Sequence, residues 1–76
     1  MKKYLKFLAR LPVPLRAKLL LTIADIVNGN LKNLDVIPLT GSENYYRCRV
    51  GKLRIIFEKT DTETRIHNIA FRGTTY

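Results

Sequence analysis

The sequence predicts an α+β fold, an N-terminal αα-hairpin packed on a three- or four-stranded antiparallel sheet. Three observations predict it. Apolar residues recur at helical spacing through the first third of the chain, interrupted at Pro12. From Tyr45 onward the period changes to the two-residue alternation of strands. Turn chemistry then divides that second half, first at Gly51-Lys52 and again across Thr60 to Thr62.

Tyr4, Phe7, Leu8 and Leu11 make a short first helix that should stop near Pro12, and Pro14 can open the second. Leu15, Leu19, Ile23 and Val27 mark its inward face, widened by Leu20, Ile26 and Ala17, until Gly29 ends it. Residues 30–41 read as a connection whose Leu34, Val36, Ile37 and Leu39 tie it to the core. Pro38 and Gly41 there argue against a regular interior strand. Tyr45 to Val50, Leu53 to Glu58 and Thr64 to Ala70 are expected as three antiparallel strands. On strict alternation the last strand would set Arg65, His67 and Ile69 on one face and Ile66, Asn68 and Ala70 on the other.

Seventy-six residues suit one domain, 1–76, with a core small enough for a partner to add appreciably to stability. Fourteen Lys and Arg against six Asp and Glu give a formal charge of +8, which favours nucleic acid, an acidic protein or an anionic surface as partner. The single cysteine excludes an internal disulfide framework, and the apolar setting of Cys48 suits packing better than nucleophilic chemistry. No stretch has the length or apolarity of a membrane span, so a cytoplasmic location without membrane association is expected. Neither a phosphate loop nor a dinucleotide fingerprint nor paired-cysteine spacing is present, so no cofactor or metal is expected.

The chemistry-bearing feature is a set of arginines. Arg47 and Arg49 share one face of their strand, and the Gly51-Lys52 turn can place Arg54 beside them. Guanidinium groups hold phosphate oxygens through paired charge-assisted hydrogen bonds, so a bound polyanion is the simplest reason for this concentration, against the alternative of an ordinary solvated sheet face.

With these residues in view, the chain resembles the RelE/ParE toxin superfamily. The resemblance lies in the helical hairpin, in Leu39-Thr40-Gly41, in the stretch from Tyr46 to Phe57, and in the ending Arg72-Gly73-Thr74-Thr75-Tyr76. It implies the toxin of a type II toxin-antitoxin system, neutralised by a cognate acidic antitoxin and able to meet operator DNA through that complex. For RelE-like members it implies an enzyme acting on messenger RNA in the ribosome, where the 2′-hydroxyl attacks the adjacent phosphate without a metal. Carried over, Arg47 and Arg49 correspond to the basic pair of the strand, Arg54 to the phosphate-contacting arginine, Arg72 to the C-terminal catalytic basic residue and Tyr76 to the terminal aromatic that stacks on RNA. The family's usual first strand, before the helices, has no counterpart here. The alternatives are a ParE-like inhibitor of DNA gyrase and a catalytically silent binding and repression partner.

RNA cleavage of this kind needs a base at the 2′-hydroxyl, charge stabilisation at phosphorus and a proton for the departing 5′-oxygen. Arginine suits the second task and not the first, because its pKa lies above about 12. His67 is the only side chain whose ordinary titration lies near neutrality, and Glu58 closes the middle strand. Proton transfer is open to both, but a surface or structural role for His67 and a solvent-facing ion pair for Glu58 are the simpler expectations.

Overall fold

A computed structural model of the chain describes residues 3–41 and 43–71. Two helices, α1 (Lys3–Ala9) and α2 (Val13–Val27), precede four strands, β1 (Asp35–Pro38), β2 (Tyr45–Val50), β3 (Leu53–Lys59) and β4 (Thr64–Phe71). The strands form one antiparallel sheet in the order β1-β2-β3-β4. No strand precedes α1 among the described residues.

Local chemistry accounts for the element boundaries. Pro12 is the N-cap of α2, and Pro14 falls in its first turn, where a missing N–H costs nothing. At the other end the Gly29 amide donates to the Ile26 carbonyl and the Asn30 amide to the Asp25 carbonyl. With Gly29 at φ +80° this is a Schellman stop. The β2–β3 hairpin closes on two residues, Val50 pairing with Leu53 around a Gly51 at φ +57°. Between β3 and β4 the Thr60 hydroxyl accepts hydrogen bonds from the amides of Thr62 and Glu63, a side-chain-built turn.

The connection expected over residues 30–41 contributes the fourth strand. β1 is short, lies at the sheet edge and ends on Pro38, a position where a proline disturbs no interior ladder. Val36 turns toward the core and Ile37 toward the other face.

Both helices cover one face of the sheet. Leu8 and Leu11, with Leu19 and Ile26 of α2, bury against Cys48, Val50, Leu53, Ile55, Phe57, Ile66 and Ile69. Tyr46 and Phe57, paired across β2 and β3, stack at 5.5 Å, and Phe7 meets Phe71 edge to face at 5.6 Å. The expected inward face of α2 needs correction. Steps of four residues on a helix of 3.6 per turn precess by about 40° each, so Val27 ends about 120° away from Leu15. The buried row is Leu19, Thr22 and Ile26, with Leu15 and Ile23 half-buried, while Leu20 and Val27 are about half exposed and Ala17 is exposed. Thr22 is tolerated inside because its hydroxyl donates to the Lys18 carbonyl at 3.0 Å.

Candidate nucleic-acid interface

The face opposite the helices is built by register. Asp35 lies across from Arg49, and Arg49 across from Arg54. In the next row Ile37, Arg47, Ile56 and Asn68 follow one another across all four strands. A third row contains Tyr45, Glu58 and Arg65. Arg47, Arg49 and Arg54 therefore share one face, as the period-two spacing predicted, and the helices lie on the other side of the sheet.

The three arginines sit in different surroundings. Arg49 is exposed, and its Nε lies 3.4 Å from Asp35 Oδ2 in an open ion pair that leaves much of the guanidinium in water. Arg47 is half-buried. Its Nε is sealed from solvent without a hydrogen-bond acceptor among the described residues, and its register neighbours on either side are Ile37 and Ile56. An apolar bed of this kind supports the stem of the side chain. Arg54 is half-buried across from Arg49. Arg72 and Tyr76 lie outside the described residues.

β4 departs from the expected alternation. Its pairing with β3 shifts between Ile56 and Phe57, so that Asn68 opposes Ile56 while Ile66 opposes Phe57, and His67 is the extra residue of a β-bulge. Strict alternation can bury only one of the two isoleucines: run forward from Arg65 it turns Ile69 outward, and run back from Ile69 it turns Ile66 outward and His67 inward. With the bulge, Ile66 and Ile69 are both buried, and His67 and Asn68 are both exposed. Burying two isoleucines rather than one isoleucine and one histidine is the physical reason for the irregularity.

The bulge brings a cluster together that the sequence left unassigned. His67 Nε2 lies 3.1 Å from Glu58 Oε1, and the Tyr45 ring packs against the imidazole at 5.0 Å. Glu58 thus meets His67 at hydrogen-bond distance, with a side chain 26% exposed, and His67 is 40% exposed. Beside them a cleft of about 320 Å³ opens between α1 and β4, lined by Lys3, Tyr4, Arg65, Ile66 and His67. Arg65 is turned partly aside by Glu63, whose Oε1 it meets at 2.8 Å.

Cys48 takes no part in this face. It is fully buried on the helix side, and burial, reinforced by the Asp35 carboxylate, pushes its thiol pKa upward, which suits packing and disfavours a thiolate. No group of three or more His, Cys, Asp or Glu among the described residues is placed to hold a metal ion. None of the described helices is long and apolar enough to cross a membrane.

A comparison with known proteins finds a match across the whole chain. The chain is 32% identical over 78 aligned positions to Toxin RelE3 of Methanocaldococcus jannaschii, and the match takes in 99% of this chain and 89% of the archaeal protein. This chain belongs to the RelE toxin family. No protein-family model matches it, and no solved structure does. Within the family frame the outer sheet face is the candidate interface. The Tyr45-Glu58-His67 cluster is the part of it that sequence reasoning did not assemble, because alternation alone grouped Arg65, His67 and Ile69 without fixing which face met the arginines, and the bulge parts Ile69 from the other two. The signal available was the pair Ile66 and Ile69, whose spacing of three cannot put both residues on one face of a regular strand.

Proposed function

We propose that this protein is the toxin of a type II toxin-antitoxin pair and that it cuts messenger RNA on the ribosome, the ribose 2′-hydroxyl attacking the adjacent phosphate. One observation carries the proposal: the register that sets Arg49 opposite Arg54, with Arg47 one row along, on the face the two helices leave open. On that face Arg54 clamps the scissile phosphate and stabilises charge developing at phosphorus, while Arg47 and Arg49 align the neighbouring backbone. Arg72 joins the clamp and Tyr76 stacks on a base. Guanidinium groups supply this stabilisation directly as fixed cations, so the chemistry assigned to them calls for no metal. The formal charge of +8 supports an acidic antitoxin and an RNA-rich target, with operator DNA reached through the antitoxin complex.

The test is single-nucleotide mapping of messenger RNA cuts in a reconstituted translating system, comparing the intact protein with Arg54→Ala and Arg72→Ala. Cuts in the ribosomal A site, reduced at least a hundredfold by either substitution, are expected from the loss of one transition-state donor, which costs about 10² to 10³ in rate. Undiminished cutting by both variants would remove the assigned roles.

A second reading draws on a different surface. Val13, Leu20, Leu21 and Val27 leave α2 with an exposed apolar side suited to a protein partner. That surface favours a ParE-like inhibitor acting by contact, and inhibition of gyrase supercoiling without translation separates it from RNA cleavage.

A further inference from the structure

From the bulge in β4 we infer that His67, held by Glu58, is the base that takes the proton from the attacking 2′-hydroxyl. The inference rests on the nuclease reading above and fills the task that arginine cannot perform. Three observations carry it. His67 stands on the arginine face at the β-bulge, beside Asn68, and bulges are frequent beside active sites. Its Nε2 is 3.1 Å from a carboxylate oxygen of Glu58, which only accepts, so neutral His67 donates Nε2–H and keeps its lone pair on Nδ1. Finally, the imidazole borders a cleft of about 320 Å³ at the β4 edge of the sheet, which it shares with the cations Lys3 and Arg65 and with Tyr4.

The pair is poorly explained as a stabilising device. With side chains 40% and 26% exposed, such a pair contributes little to folding. Its position on the outer face is better explained by chemistry. Residues two apart on a strand stand about 7 Å apart, so Tyr45, which packs on His67, is one step along β2 from Arg47. The imidazole thus lies one row from Arg47 and two rows from Arg49 and Arg54 on the same face.

The step balances in atoms and charge. Nδ1 of His67 accepts the proton as the O2′–P bond forms and the P–O5′ bond breaks. The departing 5′-oxygen takes a proton from water, leaving a 2′,3′-cyclic phosphate and a 5′-hydroxyl, and the imidazolium returns its proton to solvent. Glu58 is a positioning residue that fixes the tautomer and faces the imidazolium when it forms. The other groups around the imidazole are Tyr45 from β2, Arg65 and Asn68 from its own strand, and Lys3 and Tyr4 from α1.

The experiment measures single-turnover cleavage on a programmed ribosome across pH, for the intact protein, His67→Gln, His67→Gly and Glu58→Ala, with circular dichroism to establish that each is folded. The intact protein should show a rate rising with pH at the slope of one ionisation. Removing a general base costs about 10² to 10⁴, so His67→Gln should be slowed at least a hundredfold and lose that slope. Added imidazole should restore part of the activity of His67→Gly, a result that a purely structural role would not give. Glu58→Ala should be slowed with the pH slope retained. Cleavage by folded His67→Gln at the intact rate and with the intact pH profile would overturn the inference while leaving the nuclease reading standing. Absence of cleavage by the intact protein would instead overturn the nuclease reading and this inference with it.

Discussion

Removing one residue from a strand ordinarily turns every side chain beyond the gap to the wrong face. In β4 the bulge reverses that expectation at two positions. Deleting Asn68 leaves Ile66-His67-Ile69, which alternates regularly and returns both isoleucines to Phe57 and Ile55 with no residue left over. Asn68 is exposed, and surface changes of this kind stay within about 0.5 kcal/mol, while one regular ladder hydrogen bond regained is worth about 0.5–1.5 kcal/mol. The deletion should therefore leave stability unchanged or raise it by up to about 2 kcal/mol. Deleting Ile69 is the contrast. That side chain is 3% exposed, and its loss brings Ala70 opposite Ile55 and displaces Phe71 from Leu53. The cost should match an isoleucine-to-alanine truncation, about 2–5 kcal/mol, out of a total of about 4–11 kcal/mol for a domain of this size. Urea unfolding followed by far-ultraviolet circular dichroism gives both values from the midpoint and slope. Equal destabilisation by the two deletions would refute the account of the bulge as the point where the two faces are reset. Because deletion of Asn68 retains His67 on the outer face, that variant should also keep its nuclease activity.

Two further outcomes test the core and the hairpin. Burial raises the Cys48 pKa, so the folded protein holds the thiol proton more tightly than the unfolded chain does. Stability from this group should be fully present below the ordinary thiol range and decline as pH rises through it toward the raised folded value, and an exposed-thiol reagent should modify Cys48 only at the rate of unfolding. Rapid labelling under native conditions would contradict its burial. Gly51 has φ +57° and open space where a Cβ would stand, so Gly51→Ala should cost about 1–2 kcal/mol through backbone strain alone. Gly51→Asn, tolerant of the left-handed region, should cost less in the same unfolding assay.

Much of the architecture could be read from local chemistry. The helix breaks at Pro12 and Gly29, the two-residue hairpin at Gly51-Lys52 and the common face of Arg47, Arg49 and Arg54 all depend on backbone preferences or on a period shared by neighbours in the chain. The sequence by itself also determined the charge of the molecule and the burial of Cys48. Tertiary structure decided what local rules leave open. The inward face of α2 depended on where a slowly precessing row of apolar residues meets the sheet, and Thr22 rather than Val27 occupies it. β1 exists because the edge of β2 offers unpaired backbone groups to a segment with little strand character of its own. The face of His67 was settled by competition: two isoleucines three residues apart both gain from burial, no regular strand can bury both, and the ladder yields one residue to accommodate them. That yielded residue is the histidine, which stays on the arginine face beside Asn68 while both isoleucines are buried.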